Sequence, residues 1–346
     1  MKKMFAWMLV LSMMLCTGMT AWAEQTAVVP AEPASTTSAA IDEAQPEQQY
    51  SLTTGLPTDK PYKAMAVQFD NSADARPQMN MSKADVIYES EIARGGYTRY
   101  TAIFNDEIPN LVEAVRSARI MHVDISLDWS AAFIHFGGQQ MKGSSVYDYA
   151  KTVNIKRFDG LSDSNNFYRD NKRVAPYNVV GRLGQMYEAT EAPEEETVHT
   201  PLKFSAENPT IKGENVSVFR IPYGPNIGFY PSYEYLADEG VYRRYYNRQD
   251  MLDGADNAHY DVENVIVMYA DYSWYDGASD RPIVALTGTN KCEYFIGGKH
   301  FEGTWSRSSV NDSTVYYDGE GSEVFLKPGK TFIQIVRTGV EIEIVK

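Results

Sequence analysis

The chain has 346 residues, of which 43% are hydrophobic, and a formal net charge of -14. This length supports one or two ordinary hydrophobic cores. A chain this acidic is repelled by nucleic acid and by anionic lipid, so we predict no nucleic-acid partner. Any anion that the protein binds has to be held by a local cluster of positive side chains.

The first 23 residues have the pattern of a secretory signal peptide. Two lysines precede an apolar stretch over residues 4–16, and Ala-Trp-Ala, ending at Ala23, is a small-x-small cleavage site. The apolar stretch is too short to anchor the mature chain comfortably in a bilayer. We therefore predict export, cleavage near Ala23 and no integral membrane span in the mature chain. Lipidation of Cys16 stays open, although Leu15 is larger than the residue that normally precedes a lipidated cysteine.

Beyond the signal, the composition divides the chain into a linker and two folded parts. Residues 24–49 are rich in Ala, Pro, Thr, Ser and Glu, which is typical of a disordered linker. An acidic, proline-flanked run at 191–201 marks a predicted boundary between domains at 50–195 and 201–346. Cys292 is the only cysteine outside the signal, so no intramolecular disulfide is expected.

The first folded part alternates strand-like and helix-like segments. Short apolar runs predict strands, and a four-residue apolar spacing predicts a helix. The predicted strands lie at 62–71, 84–91, 97–105 and 131–136, and the predicted helices at 117–129, 144–153 and 178–190. We therefore predict an α/β (α+β) N-terminal domain with a mixed sheet.

The second folded part has a different pattern. Its β-branched and aromatic runs are short and are separated by Gly, Asn and Asp turns, which predicts a mostly antiparallel, β-rich C-terminal domain. The closing GVEIEIVK, residues 339–346, alternates residue by residue and predicts a final edge or pairing strand.

The stretch EAVRSARIMHVDIS, residues 113–126, generates the main functional hypothesis. If a strand ends at Arg116 or one residue earlier, the Ser117 hydroxyl can cap the following helix, whose free backbone N–H groups attract anions. Arg116 and Arg119 flank this point, and Arg99 alternates onto the same side of a neighbouring strand. Guanidinium groups hold phosphate or carboxylate in a two-pronged grip, so we predict an anion site here.

The competing interpretation assigns these arginines to internal ion pairs. In that case Glu89, Glu91 or Glu113 neutralises them and no ligand is needed. Asp70 with Glu89 and Glu91 could form a paired-carboxylate or metal site, but strand carboxylates near arginines are usually salt-bridged. We predict no metal and no cofactor.

Two further segments supply candidate residues. In FIHFGGQQ, residues 133–140, Gly137 and Gly138 let the backbone approach a ligand or form a nest of N–H groups. This junction and the one at Ser117 lie at the same sheet edge if both preceding strands are parallel. In FYRDNKRVAPYN, residues 167–178, Arg169 and Arg173 could close over a bound group or belong to a packed connection.

The sequence does not settle whether the protein is an enzyme. It has no G-x-S-x-G, H-E-x-x-H, phosphate-loop lysine motif or paired-cysteine metal site. Asp70 and His135 are the candidates for acid/base catalysis, although a lone histidine in an apolar strand is more often a hydrogen-bonded core residue.

Several blocks together resemble the YerB-like family of secreted bacterial proteins, often lipoproteins, whose function is not established. The blocks are FDNSADARPQMNMSKADVIYESEIARGGYTRYTAIFN, VRSARIMHVD, HFGGQQ and FYRDNKRVAPYN, followed by VYRRYYN, GGKHFEGTWSR and LKPGKTFIQIV. The resemblance covers about residues 52–346 and implies a two-part protein of the cell envelope. Histidines common in the family are replaced here by Ser72 and Tyr177, and an acidic residue by Arg94. Because the arginine positions are retained, a binding role fits this member better than histidine chemistry.

We therefore expect a secreted, envelope-associated binding protein that captures a phosphate, glycan carboxylate or peptide carboxylate. The predicted ligand-binding residues are Arg76, Arg99, Arg116, Ser117, Arg119, Gly137, Gly138, Arg169 and Arg173. One alternative is a hydrolase or transferase acting on cell-wall or polyprenyl-phosphate-linked substrates. The other is a structural scaffold whose second part docks an envelope protein.

Overall fold

The fold was examined in a computed structural model that describes residues 48–224, 230–275 and 281–345. The predicted signal peptide, with Cys16 and the cleavage site at Ala23, lies outside the described residues. So do residues 24–47 of the predicted linker.

The first part alternates strands and short helices, as its apolar periodicity predicts, but the helix predicted at 178–190 is wrong at its start, where the chain forms a strand. Its strands are β1 (Met65–Asp70), β2 (Val86–Ala93), β3 (Tyr97–Phe104), β4 (Val112–Glu113), β5 (Ala132–His135), β6 (Gln140–Met141), β7 (Ser144–Ser145), β8 (Arg157–Asp159), β9 (Phe167–Arg169) and β10 (Val179–Gly181). Its α-helices are α1 (Ile120–Asp128), α2 (Val146–Thr152) and α3 (Leu183–Glu188), and 3₁₀ turns lie at Ala73–Ala75, Met81–Lys83 and Glu195–Thr197.

The second part is built from strands, which its turn-rich pattern predicts. They are β11 (Lys203–Phe204), β12 (Glu214–Asn215), β13 (Val218–Arg220), β14 (Pro231–Leu236), β15 (Val241–Tyr246), β16 (Gln249–Asp250), β17 (Asp261–Val262), β18 (Asn264–Ala270), β19 (Tyr272–Trp274), β20 (Pro282–Val284), β21 (Gly288–Ile296), β22 (Lys299–Arg307), β23 (Val315–Asp318), β24 (Phe325–Leu326), β25 (Thr331–Arg337) and β26 (Glu343–Val345). The last of these pairs with β13 at the edge of its sheet, where the closing alternation places it.

One mixed sheet runs through both parts of the chain. Among the described residues its strand order is β12-β22-β21-β18-β25-β2-β3-β1-β5-β8, with β23 paired to β22. Strand β25 lies between β2 of the first part and β18 of the second and is parallel to both. The predicted boundary at 191–201 therefore separates two halves of a single sheet, and the halves do not form independent cores.

Two hydrophobic clusters cover the two faces of this sheet. In β25, Phe332 belongs to one cluster and Ile333 to the other, as the alternation of a strand requires. A second sheet, in the order β16-β15-β14-β13-β26 with β17 on β15, packs against the first face. Met121 of α1 and Trp129, the residue that follows the helix, pack against the second face. The architecture is therefore a helical layer, a central mixed sheet and an antiparallel sheet.

The longest α-helix among the described residues is α1, with nine residues. Within those ranges no helix is both long enough and apolar enough to cross a membrane.

A buried ion pair connects the central sheet to the second sheet. Glu89 on β2 accepts a hydrogen bond of 2.6 Å from Arg244 on β15, and both side chains are almost completely buried. Arg244 also donates to Tyr233 at 2.5 Å, and Glu89 accepts from Asn71 and Thr98. The charge of Glu89 outweighs the effect of burial and raises the pKa of Arg244.

We expect Glu89→Gln to lower the free energy of unfolding by about 3–5 kcal/mol, because it leaves the Arg244 guanidinium charged and buried without its counter-ion. Urea denaturation of the purified chain measures this change. The matched control is Glu343→Gln, which removes a partially exposed pair with Arg220 at 3.8 Å and should cost less than about 1 kcal/mol. Equal, small effects of both substitutions would contradict the assigned role of the buried pair.

Candidate functional site

The carboxyl ends of three parallel strands, β1, β5 and β8, meet at one edge of the central sheet. These strands end at Asp70, His135 and Asp159. Antiparallel to β1 runs β3, in which Arg99 lies directly opposite Asp70. The edge therefore combines carboxylates with an arginine, and polar side chains at such an edge are well placed for ligand binding.

The segment at 115–118 threads between the ends of β1 and β5. The Arg116 N–H donates to the Gln68 carbonyl at 2.9 Å, and the Arg116 carbonyl accepts from the Phe136 N–H at 3.0 Å. One residue further on, the Ala118 N–H donates to the Gly137 carbonyl at 3.0 Å. These bonds hold residues 115–118 in an extended conformation. They also bring together the two junctions predicted from the sequence, at Ser117 and at Gly137.

Two expectations about Ser117 are wrong. Helix α1 begins at Ile120, and its N-cap is Arg119, whose backbone N–H donates to His122 Nδ1 at 2.9 Å. Ser117 therefore does not cap the helix, because its neighbours form backbone hydrogen bonds with strand ends. The strand before it, β4, lies outside the central sheet and is antiparallel to β10, so this junction is not the end of a parallel strand.

Asp70 acts as the counter-ion at the centre of the edge. Its Oδ1 accepts hydrogen bonds from the Ser72 N–H at 2.7 Å and the Ser72 hydroxyl at 2.6 Å, and its Oδ2 pairs with Arg116. Burial alone would raise its pKa, but the charge of Arg99 and these hydrogen bonds outweigh that effect and lower the pKa. An ionised, fully hydrogen-bonded Asp70 is a poor general acid.

Arg99 lies beneath the extended segment. It is 6% exposed, and its guanidinium donates to the Ser117 carbonyl and, at 3.3 Å, to the Ser117 hydroxyl. Burial lowers its pKa to about 10, against the opposing effect of Asp70. Within the described ranges, Arg99 Nε has no hydrogen-bond partner.

Arg119 is the least compensated charge of the site. It is 5% exposed, and its guanidinium donates to the Ala118 carbonyl at 3.2 Å. Burial, followed by repulsion from Arg99, Arg281 and Arg116, lowers its pKa to about 8, and no carboxylate of the described residues opposes this shift. Its Nε also lacks a partner among those residues. Arg99, Arg116 and Arg119, hereafter the arginine cluster, thus lie close enough to repel one another.

The glutamates of the competing interpretation are engaged elsewhere. Glu89 pairs with Arg244 at 2.6 Å and Glu91 with Arg337 at 2.9 Å. Glu113 lies 3.4 Å from Arg173. In the part of the chain that the structure describes, the carboxylate paired with the cluster is therefore Asp70.

Gly137 and His135 lie beside the cluster and are held in place by hydrogen bonds. Gly137 has a φ of 73°, which favours glycine, and its N–H donates to Asp159 Oδ1 at 2.8 Å. Its carbonyl lies 2.8 Å from His135 Nδ1, so that nitrogen carries the proton. Burial lowers the pKa of His135. These contacts favour a structural, neutral His135, and they place Gly138 at the partly exposed rim.

Three other predicted ligand-binding residues are held by neighbouring loops. Arg76 donates to Asn71 and stacks on a tyrosine ring, with its guanidinium carbon 3.9 Å from the ring centre of Tyr246. Arg169 donates to Asn178 at 2.8 Å. Arg173 donates to the backbone carbonyls of residues 75 and 77. From the 167–178 segment it is Tyr177 that approaches the cluster, with its ring centre 5.7 Å from the Arg116 guanidinium carbon.

Sequence reasoning missed two residues of the site. Arg281 precedes β20 in the second part of the chain, and its charge lowers the pKa of both Arg99 and Arg119. His122 is completely buried, and its Nε2 lies 3.4 Å from the Ser90 hydroxyl. Because His122 Nδ1 accepts the Arg119 N–H, the proton resides on Nε2, and the imidazole cannot act as a base toward Ser90. His122 stands three residues after Arg119, a spacing at which a side chain can accept a hydrogen bond from the N-cap backbone, and this spacing was the available signal in the sequence.

The described ranges contain no group of three or more His, Cys, Asp or Glu side chains arranged to hold a metal ion. A cleft of about 470 Å³ opens at the opposite edge of the sheet, where β1 and β5 begin. It is lined by Lys63, Ala132 and Lys156, among others, and lies away from the arginine cluster.

Comparison with known proteins gives a family but no activity. Residues 53–196 match the "Protein of unknown function (DUF3048) N-terminal domain", and residues 219–333 match the corresponding C-terminal domain. The "Putative lipoprotein YerB" of Bacillus subtilis (strain 168) is 29% identical over 295 residues, covering 82% of this chain and 85% of that protein. The crystal structure of the B. subtilis YerB protein has a TM-score of 0.73 at 25% identity and covers 84% of this chain and 97% of its own. The predicted YerB-like resemblance is confirmed.

Because the charge of Arg119 is uncompensated, we expect this residue to lower the free energy of unfolding. We expect Arg119→Met to raise the free energy of unfolding by about 1–4 kcal/mol at pH 7 in phosphate-free, low-salt buffer, since it replaces a buried cation by an apolar side chain of similar length. The pKa of Arg119 is lower in the folded state than in the unfolded state, so its cost is complete below about pH 8 and declines as the pH rises. The gain should therefore shrink between pH 8 and 10.

Urea denaturation across this pH range provides the measurement. The matched control is Arg248→Met, at an exposed position, which should leave stability unchanged within about 0.5 kcal/mol. A loss of stability in Arg119→Met at pH 7 would contradict the assigned electrostatic cost.

Proposed function

Because the chain belongs to the DUF3048 family, whose function is not established, we propose from its own geometry that it is an exported, envelope-associated protein that binds an anionic ligand. The ligand site consists of Arg99, Arg116 and Arg119 at the carboxyl edge of the central sheet, with the backbone at Ser117 and Gly138 as its rim. The observation that carries the proposal is Arg119, a buried guanidinium without a carboxylate partner among the described residues.

Physical chemistry supports an anion at this position. A buried charge is costly unless it is paired, and the interior of a protein retains such a charge mainly where a ligand or a mechanism uses it. Helix α1 begins beside Arg119, so its dipole adds positive potential at the same place. Arg116, with a side chain that is 24% exposed, connects the buried arginines to solvent.

Export and envelope association have separate support. The N-terminal residues have the charge, apolar and cleavage pattern of a secretory signal. The B. subtilis relative is named a putative lipoprotein. Together these observations favour a location outside the cytoplasm, on or near the envelope.

Binding is favoured over catalysis because the candidate acid/base groups are poorly suited to proton transfer. The pKa of Asp70 is lowered by Arg99 and hydrogen bonds despite its burial, and the pKa of His135 is lowered by burial. One group is therefore a fixed carboxylate and the other a neutral, hydrogen-bonded imidazole. The ionised aspartate stabilises the cluster as a counter-ion.

We expect inorganic sulfate and phosphate to raise the melting temperature of the purified chain, because a ligand that binds the folded state stabilises it. Arg116→Ala and Arg119→Ala should each weaken the apparent affinity by about tenfold or more, which corresponds to the loss of a charged hydrogen bond. Thermal denaturation against anion concentration, at constant ionic strength, measures the effect.

The same variants should show reduced co-sedimentation with isolated bacterial envelopes. Arg248→Ala, which removes an exposed arginine outside the cluster, is the control and should behave as the wild type. Unchanged anion binding in both single variants and in the double variant would refute the site. Envelope retention that depends only on residues 201–346 would instead favour the docking scaffold.

A further inference from the structure

We infer that the arginine cluster is built for a dianionic phosphate group, either free phosphate or the terminal group of a phosphate monoester, in preference to a carboxylate. This inference rests on the proposed function and adds the chemical class of the ligand.

The charge balance at the site favours a dianionic ligand. The cluster carries three guanidinium charges, and Asp70 is the carboxylate that compensates them within the described ranges. Two positive charges remain. Asp159, the next carboxylate along the edge, lies 3.8 Å from Arg157 and therefore has a cation of its own. A monoanion would leave the site positive, whereas a dianion balances it.

The neighbouring imidazoles do not alter this balance. Burial lowers the pKa of His122 and of His135, so both rings are neutral near pH 7. Arg281, whose charge lowers the pKa of Arg99 and Arg119, has a further interaction of its own and is not counted in this balance. The field at the cluster is therefore made by arginines, which keep their charge across the range in which a phosphate monoester loses its second proton, near pH 6.

The unused hydrogen-bond donors of the cluster favour a phosphate over a carboxylate. Each guanidinium has five N–H donors in a planar fork. Among the described residues the Arg119 guanidinium donates to one backbone carbonyl, and Arg99 and Arg119 each retain an unpartnered Nε–H. Both oxygens of Asp70 are already engaged, by Ser72 and Arg116. A tetrahedral phosphate offers three outward oxygens to this surplus, one more than a carboxylate.

The burial of the arginines limits which phosphate can reach them. Arg99 and Arg119 are nearly buried, whereas Arg116, Ser117 and Gly138 are partly exposed. A group that reaches the buried arginines therefore has little room for the rest of its molecule. A terminal phosphate needs one connection to the rest of its molecule or none, but an internal phosphodiester needs two. The geometry consequently favours a terminal group.

The test compares phenyl-bearing probes whose anionic groups differ in charge and in shape. Phenyl phosphate is a dianion at pH 7.5, phenyl sulfate is a tetrahedral monoanion and benzoate is a planar monoanion. We expect isothermal titration calorimetry of the full chain to show phenyl phosphate binding at least about tenfold more tightly than either monoanion. Arg119→Met should reduce that preference to less than about threefold, and its folded state is verified by thermal denaturation.

Inorganic phosphate distinguishes the two sources of the group. Binding as tight as that of phenyl phosphate would support recognition of the phosphate alone, and clearly weaker binding would support recognition of a monoester. Equal affinity for phenyl phosphate, phenyl sulfate and benzoate, lost in Arg119→Met, would overturn the dianion inference and leave the proposed anion site intact. If none of the four probes binds the wild type, both the inference and the proposed function fail.

Discussion

The ion pair between Glu89 and Arg244 is the constraint on which the joining of the two sheets depends. It lies between the central sheet and the second sheet, where neither charge reaches solvent, so each partner requires the other. Glu89 is thereby committed, together with Asn71 and Thr98, to a network on one face of β2. On the neighbouring strand Arg99 lies opposite Ser90, and its side chain therefore points to the other face of the sheet. Glu89 consequently does not neutralise the arginine cluster, whose carboxylate among the described residues is Asp70.

The local elements were predictable from the sequence because their signals are local. Alternation and apolar runs located β1, β2, β3 and β5, and turn residues located the strands of the second part. The insertion of β25 between β2 and β18 was not predictable in this way, since a parallel pairing between residues about 245 positions apart has no short-range signature. The sequence pattern accordingly suggested two separate bodies, whereas the sheet is continuous.

The sequence predicted which arginines lie close together in the candidate site and only partly how they are held. The pattern around Arg116 and Arg119 indicated an anion site, and the structure brings both residues to the edge that also holds Arg99. Helix α1 nevertheless begins later than expected, because the backbone groups of residues 116 and 118 bond to strand ends. The contribution of Arg281 could not be foreseen, since it comes from the other part of the chain.

Two other buried arginines show what a purely structural role requires. Arg244 has a carboxylate at 2.6 Å, and its pKa is raised by Glu89 despite burial. Arg307 donates to the backbone carbonyls of residues 124, 310 and 312 and lies 3.7 Å from Asp128.

Arg119 has neither arrangement. Its guanidinium has one backbone acceptor among the described residues, its neighbours are cations, and burial with their repulsion lowers its pKa to about 8. Since the same chain compensates a buried arginine fully at two positions, the deficit at the third is a specific property of the sheet edge. A buried charge that packing leaves unbalanced is stabilised once an anion from outside supplies the missing partner, and this is the physical basis of the proposal that the cluster binds a ligand.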